Sequence, residues 1–569
     1  MGRQKVEERP TSFSSFAAYL EAVSDTPARL ALRATATSSY QEEITKGICL
    51  SGAEMKRSLR WHDLVALGIG GMVGAGVFVT TGRACRQFAG PGAIISYAIA
   101  GLCALLSALC YTEFAVELPV AGGAFTYLRV TFGEFPAFLA GANLIVDYVM
   151  SNAAVARGFT SYLATAIGSP VTKWRLTIIS LPAGFNEVDL LAFFIVVTIT
   201  AVICYSTRES SVANKILTAL HLVFIAFIII VGFLNGHWRN LVEAGDRNHN
   251  PSGFFPFGIS GVFNGAAMVY MSYIGFDAVS TMAEEVENPP KDIPIGVSGS
   301  VAIVTVLYCL MTTSMSVLLP YDKIDSEAPF SAAFGGSWIS RVVGAGASFG
   351  ILTSLMVAML GQARYMCVIG RSGVVPSWFA RVHTKTSTPL NASIATGMFT
   401  AALALFTDLD ILLGLVSIGT LFVFYMVANA LIYRRFAASG TTDPRRTLCF
   451  LSFFSVVSAA ITVVWHLMQK GRLKTTLLCA CAALAIGGGQ IFRSTTSEVR
   501  KPTLWGVPVM PWVPCASIFL NIFLLGSLDT PSFVRFGVFS ALCVLFYALY
   551  SVHASFDAHS VTLIEDCDT

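Results

Sequence analysis

The residues with chemistry to offer gather around two glycine-rich interruptions of long apolar runs. The first is GIGGMVGAGVF, Gly68 to Phe78, inside the run Leu64 to Thr81, which is centred on Met72. Unpaired backbone N–H and C=O groups are expensive in hydrocarbon, so a break at mid-membrane implies a protein-lined polar cavity. The amides of Gly74, Ala75 and Gly76 would head a half-helix there. Its partial positive charge suits a carboxylate, and glycine permits close approach. The second interruption, MSYIGFDAV at Met271 to Val279, leaves carbonyls around Met271, Ser272 and Ile274 as acceptors for an ammonium group. Donors and acceptors together describe an α-amino acid. Glycines can also serve only close helix packing, but a clustered run with a partner break five spans on favours a central binding site.

Ionisable groups inside apolar runs are costly and so mark a cavity or a partner. Glu113 and Glu117, spaced i and i+4, share one helix face at the end of the second run. Either they face a cavity or they cap a helix, and for Glu117 capping is preferred. Asp147 shares a face with Asn143 in GANLIVDYV; it pairs with a cationic side chain or bonds to a neighbouring helix. Asp277 directly follows the second break, where it tunes the site or, the preferred role, ties the half-helices together through their free amides. His221 lies within NKILTALHLVF and titrates near pH 6.5 when unperturbed, which suits proton coupling. A neutral ring bonded to one carbonyl is the alternative. Glu284, Glu285 and Glu287, before Asn288-Pro289-Pro290, read as a solvated helix end that Pro289 stops.

The elements that must hold these groups are membrane helices. Of 569 residues 54% are hydrophobic and 12% charged, far from the roughly 25% charged residues of soluble proteins. About 14 runs approach the roughly 20 residues needed to cross a bilayer. Broken first and sixth spans predict an all-α polytopic protein with an inverted repeat of five plus five helices and four further C-terminal helices. The expected boundaries are a tail at 1–62, a ten-helix core at 63–435, accessory helices at 436–553 and a second tail at 554–569. The first tail reads as disordered, with Phe13 to Leu20 as an alternative short interfacial helix, and no signal peptide is recognisable. Arg364, Arg371, Arg381 and Lys385 in one loop, and Arg434, Arg435, Arg445 and Arg446 against only Asp443 in another, place both termini in the cytosol. A net charge of +3 gives no reason to expect nucleic acid. Thirteen scattered cysteines without CxxC or Cys/His spacing imply no metal, and no cofactor is expected.

Five segments carry a family resemblance: MKRSLRWHDL (Met55 to Leu64), GIGGMVGAGVFVTTG, CYTEFAVELPVAGGAFTYL (Cys110 to Leu128), YIGFDAVSTMAEEVENPPKDIPIG (Tyr273 to Gly296) and GQARYMCVIGRSGVVP (Gly361 to Pro376). From Met55 to its end the chain resembles the plant cationic amino acid transporters of the amino acid, polyamine and organocation superfamily. That resemblance implies a LeuT-like fold of 14 helices, secondary active transport, and recognition of the substrate backbone at the two breaks. It matches Glu113 to the family's acidic position after the second helix, and Asp147 to an acid that faces cationic side chains in bacterial relatives. His221 stands where proton-coupled relatives carry a lysine. The expected function is therefore transport of Arg, Lys or His, with larger neutral amino acids, driven by protons or by membrane potential. The expected partners are the amino acid, protons and the lipid bilayer, in the plasma membrane or, as the alternative, the vacuolar membrane. No enzyme activity is expected. A non-transporting amino acid sensor of the same fold is the rival reading.

Overall fold

The computed structural model describes residues 12–38, 59–119, 122–180, 182, 184–205, 211–246, 250–335, 337–383, 388–437, 444–469 and 471–557. Lys385, Asp443, the first four residues of the MKRSLRWHDL segment and the end of the C-terminal tail lie outside the described residues.

The first interruption separates α3 (Trp61–Met72) from α4 (Ala75–Arg83), the N-terminal segment having supplied α1 (Phe16–Ser24) and α2 (Thr26–Arg33). Then come α5 (Ala93–Glu117), α6 (Gly123–Thr131), α7 (Glu134–Ile167), α8 (Leu190–Tyr205) and α9 (Ser211–Asn235). The second interruption is a 3-10 turn, Tyr270–Tyr273, between α10 (Gly258–Val269) and α11 (Phe276–Thr281). It is followed by α12 (Pro289–Leu318), the short α13 (Pro329–Ala332), α14 (Trp338–Arg371), α15 (Leu390–Phe406) and α16 (Leu409–Phe436). The chain closes with α17 (Pro444–Leu467), α18 (Arg472–Thr495), α19 (Trp512–Leu525) and α20 (Thr530–Phe546). Nine helical stretches of the described residues are long and apolar enough to cross a membrane, and α8, α15 and α19 are shorter apolar helices. The described β-structure includes a two-stranded antiparallel ribbon in the α7–α8 connection, with Leu176 opposite Val188.

Packing follows hydrophobic length. α7 lies along α14 and α16, while α12 lies along α5 and α3, so the two broken segments are enclosed by long continuous helices. Tyr97, Tyr111, Tyr270, Tyr273, Tyr308 and Phe276 are fully buried around the breaks.

Two local expectations need correction. The tail expected to be disordered is helical over much of residues 12–38 and is docked on the other end of the chain. Ser15 caps α1 by accepting from Ala18 N–H at 3.1 Å. Ser12 donates from N and Oγ to Asp557 at 2.8 Å each, Tyr19 Oη donates to the Leu549 carbonyl, and Arg33 meets Glu134 Oε2 at 2.6 Å. Polar composition alone hid these partners, which lie more than a hundred residues away in sequence. The second correction concerns Pro289, which begins α12 at its first position and does not end a helix. Proline's fixed φ and missing N–H suit a first helical residue, whose N–H has no acceptor in any case.

Candidate functional site

Each break is imposed by backbone that cannot continue a helix. At the first, Val73 has ψ 94° and Gly74 is extended at φ −159°. α4 then restarts at Ala75, where the leading amides have no intrahelical acceptor. At the second, Ile274 turns to ψ 133° and Gly275 takes φ +125°, a region that side chains rarely adopt. A Cβ on Gly275 would also stand 2.7 Å from the Gly71 carbonyl carbon. The two breaks therefore cross in direct backbone contact.

A tyrosine bridges them. Tyr308 on α12, fully buried, offers its single hydroxyl proton to the Met72 carbonyl at 2.6 Å and the Ser272 carbonyl at 2.8 Å. Ser272 Oγ lies 2.9 Å from Thr80 Oγ1, which itself donates to the Gly76 carbonyl at 2.7 Å. Asp277 accepts from Gly275 N–H at 3.1 Å and from the Tyr148 hydroxyl, so it holds the second break to α7.

Between the breaks lies a cavity of about 70 Å³. Met72, Gly74 and Gly76 line it from the first break, Met271, Ile274 and Gly275 from the second, Tyr148, Ser151 and Asn152 from α7, and Ser354 and Gly361 from α14. Ala75 lies between two of these lining residues, and Ser272 sits just behind them. The lining carries amides, hydroxyls and backbone, but no acidic or basic side chain among the described residues. Asp277 stands one layer back, behind Tyr148.

The remaining sequence-chosen residues are not brought to this cavity. Glu113, buried near the far end of α5, is clasped by Arg435, Nε to Oε1 and Nη2 to Oε2 both at 2.6 Å, and accepts Val507 N–H at 2.7 Å. Glu498 takes the other side of Arg435 at 3.0 Å, and Glu117 pairs with Arg434 at 3.0 Å. This network fastens α5 and α16 to the segment before α19. Asp147 points away from the central cavity: its Oδ2 accepts from Thr420 Oγ1 on α16 at 3.1 Å. It lines a second cavity of about 350 Å³ together with Asn143, Gly419, Arg535 and Phe539. His221 is stacked on Phe78 of α4, ring centroids 5.9 Å apart and planes at 12°. Its Nε2 has no hydrogen-bond partner among the described residues.

Sequence reading missed Tyr308, Tyr148, Asn152 and Gln362. The available signal was the same one used for Asp147, a polar side chain inside an apolar run, but tyrosines and amides are too common in spans to stand out. It also missed a cluster at the opposite end of α7 from the tails. There Arg175 meets Glu327 at 2.9 Å and Asp189 at 3.4 Å, and Arg157 donates to the Thr407 carbonyl at 2.7 Å. Burial raises the pKa of Glu327, but the adjacent Arg175 guanidinium, together with the Ser161 hydroxyl and the Arg83 charge, outweighs it and holds the carboxyl below its usual range.

Comparison with known proteins gives this arrangement its context. The sequence model of the family described as Amino acid permease matches residues 59–489, and one described as the C-terminus of that permease matches 505–555. Cationic amino acid transporter 6, chloroplastic, of Arabidopsis thaliana is 66% identical over 97% of this chain and 95% of that protein. Cationic amino acid transporter 7, chloroplastic, of the same plant is 65% identical over 96% and 94%, and its cationic amino acid transporter 1 is 42% identical over 97% and 92%. This chain, whose two broken helices enclose a cavity of backbone donors and acceptors, belongs to the amino acid permease family, alongside the plant cationic amino acid transporters.

Proposed function

We propose that the chain is a secondary transporter that binds an α-amino acid between its two breaks and releases it on the other side of the membrane. The observation that carries this reading is the crossing of the breaks. It brings the start of α4 and the backbone of Met271 and Ile274 to one cavity, which in this reading supply a donor set for the carboxylate and an acceptor set for the ammonium, while the Ser272 carbonyl is held by Tyr308. The names of the relatives direct the substrate to cationic amino acids, Arg, Lys and His, with larger neutral ones admitted by a lining that is mostly apolar and uncharged.

In this reading the helices make fourteen crossings in a LeuT-like arrangement of five plus five, with four accessory helices outside. Fourteen crossings put both termini on one face, which Arg364, Arg371, Arg434 and Arg435 assign to the cytosolic side. Relatives named chloroplastic favour a plastid membrane over the plasma membrane expected from sequence, and one named vacuolar is 39% identical. No observation favours a non-transporting sensor.

Uptake is driven by protons or by membrane potential. His221 is the titratable group best placed for coupling, because its stack on Phe78 lies on the half-helix that begins at the break. The test is uptake of labelled arginine and a neutral amino acid into proteoliposomes, with potential clamped and an inward pH gradient applied or omitted. Gradient-driven accumulation lost in His221→Asn supports proton coupling at this residue. Equal accumulation by the variant excludes it, and absence of any flux refutes transport.

A further inference from the structure

We propose that Asn152 reads the substrate side chain through its carboxamide oxygen. A neutral acceptor, and not a carboxylate, then sets which side chains this cavity admits. The proposal rests on the central cavity being the substrate site and names the residue that sets its selectivity.

The orientation of Asn152 follows from a chain of three hydrogen bonds that ends on backbone. Thr400 Oγ1 on α15 donates to the Thr396 carbonyl at 2.8 Å, so towards Gln362 it can only accept. The group that faces it must therefore be the Gln362 amide nitrogen, at 3.3 Å. This turns Gln362 Oε1 towards Asn152, whose Nδ2 donates to it at 2.7 Å. Gln362 is fully buried and Asn152 nearly so, so the relay is packed away from bulk solvent. One N–H of Asn152 is thereby committed to Gln362, and its Oδ1, which has no hydrogen-bond partner among the described residues, is the acceptor we assign to the cavity that Asn152 lines.

Such an oxygen accepts from a guanidinium, an ammonium, an imidazole N–H or a carboxamide. It repels a carboxylate side chain. The acids that would make selection depend on charge stand elsewhere, Asp147 bonded to Thr420 and Asp277 behind Tyr148. Gln362 and Thr400 act only through Asn152 and are positioning residues.

The discriminating ligands are arginine, its neutral ureido isostere citrulline, glutamate, and alanine as a reference too short to use the contact. Competition against labelled arginine in proteoliposomes gives apparent affinities for each. In wild type, citrulline should bind within about tenfold of arginine, because a neutral carbonyl gains only modestly from the donor's charge. Asn152→Asp should widen that ratio by roughly a further tenfold, and Asn152→Leu should lower both affinities relative to alanine. Gln362→Leu releases the amide to rotate, so glutamate should gain relative to arginine, while Gln362→Glu, whose buried protonated carboxyl donates to Thr400 as the amide did and keeps its carbonyl oxygen facing Asn152, should restore the wild-type order. A purely structural role would not produce that reversal and rescue. Wild-type rejection of citrulline by more than about a hundredfold would overturn the proposal. So would ratios unchanged in both Asn152 variants while Gly76→Ala removes binding of all four ligands, an outcome that spares the site itself. Retention of binding by Gly76→Ala would overturn the site and this proposal together.

Discussion

Adding one methyl group at Gly76 tests the crossing of the two breaks. A Cβ there would stand 2.6 Å from Ser272 Cα and 3.0 Å from Ser272 Cβ, whereas ordinary contact begins at 3.4 Å. The obstacle is backbone of the opposite break, which cannot swing aside, so the breaks must part by about 1 Å. A misplacement of that size reduces rate by about a hundredfold where geometry is essential, and overpacking of a buried contact destabilises by about 1–3 kcal/mol. Gly76→Ala should therefore reach the membrane folded, melt modestly lower, and lose about a hundredfold in transport efficiency; Gly76→Val should lose more. Gly74 gives the internal control. A Cβ there would meet Ser354 Oγ at 2.3 Å and Ser354 Cβ at 2.5 Å, with Ser354 Cα as far as 4.0 Å, so the obstacle is a side chain that can be removed. Gly74→Ala should be impaired and Gly74→Ala/Ser354→Gly should recover, measured as initial uptake rate in proteoliposomes at matched protein content with Ser354→Gly alone for reference. Wild-type uptake by Gly76→Ala, or a double variant no better than Gly74→Ala, would refute the packing argument.

Three further outcomes follow from the same geometry. Removing one partner of a buried ion pair costs about 3–5 kcal/mol, so Arg435→Gln should lower thermal stability sharply and reduce arginine and neutral uptake in equal proportion; a selective loss of arginine would return Glu113 to substrate contact. Asp147→Asn should likewise weaken arginine and a neutral amino acid by the same factor, since its carboxylate bonds to Thr420 outside the central cavity, and a loss confined to arginine in competition assays would contradict that placement. Glu327 has a depressed folded-state pKa, so its pairing with Arg175 stabilises the fold above the ordinary carboxylate range, about pH 4.3, and is lost as pH falls through the folded value. Thermal melts between neutral and strongly acid pH should show this slope in wild type and a shallower one in Glu327→Gln; identical slopes would remove Glu327 as its source.

Both interruptions were legible because local residues create them: GIGGMVGAGVF cannot hold a helix through Val73 and Gly74, and Gly275 needs its positive φ. What enforces them was not legible. Tyr308 reaches both breaks only because α12 packs beside them, and nothing in VLYCL announces a phenol shared between two carbonyls. Glu113 was marked correctly as an expensive buried charge, yet its partner Arg435 is 322 residues away and only the packing of α5 against α16 supplies it. Asp147 shows the same limit. Helical spacing gave its face, shared with Asn143, but not which of two cavities that face lines. The docking of residues 12–38 on the last helix was hidden for a related reason, since an amphipathic segment without a visible partner reads as solvent-exposed.

The central claim is that the breaks recognise the amino acid backbone from both sides, and it is tested most directly by stripping one backbone group from the ligand at a time. Arginine, its decarboxylated amine and Nα-acetylarginine would compete with labelled arginine for uptake in proteoliposomes. On that claim, loss of the carboxylate would remove the partner of the α4 amides, and acetylation would remove the ammonium that donates to the Met271 and Ile274 carbonyls, so each derivative should compete at least tenfold more weakly than arginine. Competition by the decarboxylated amine as strong as that of arginine would contradict the account.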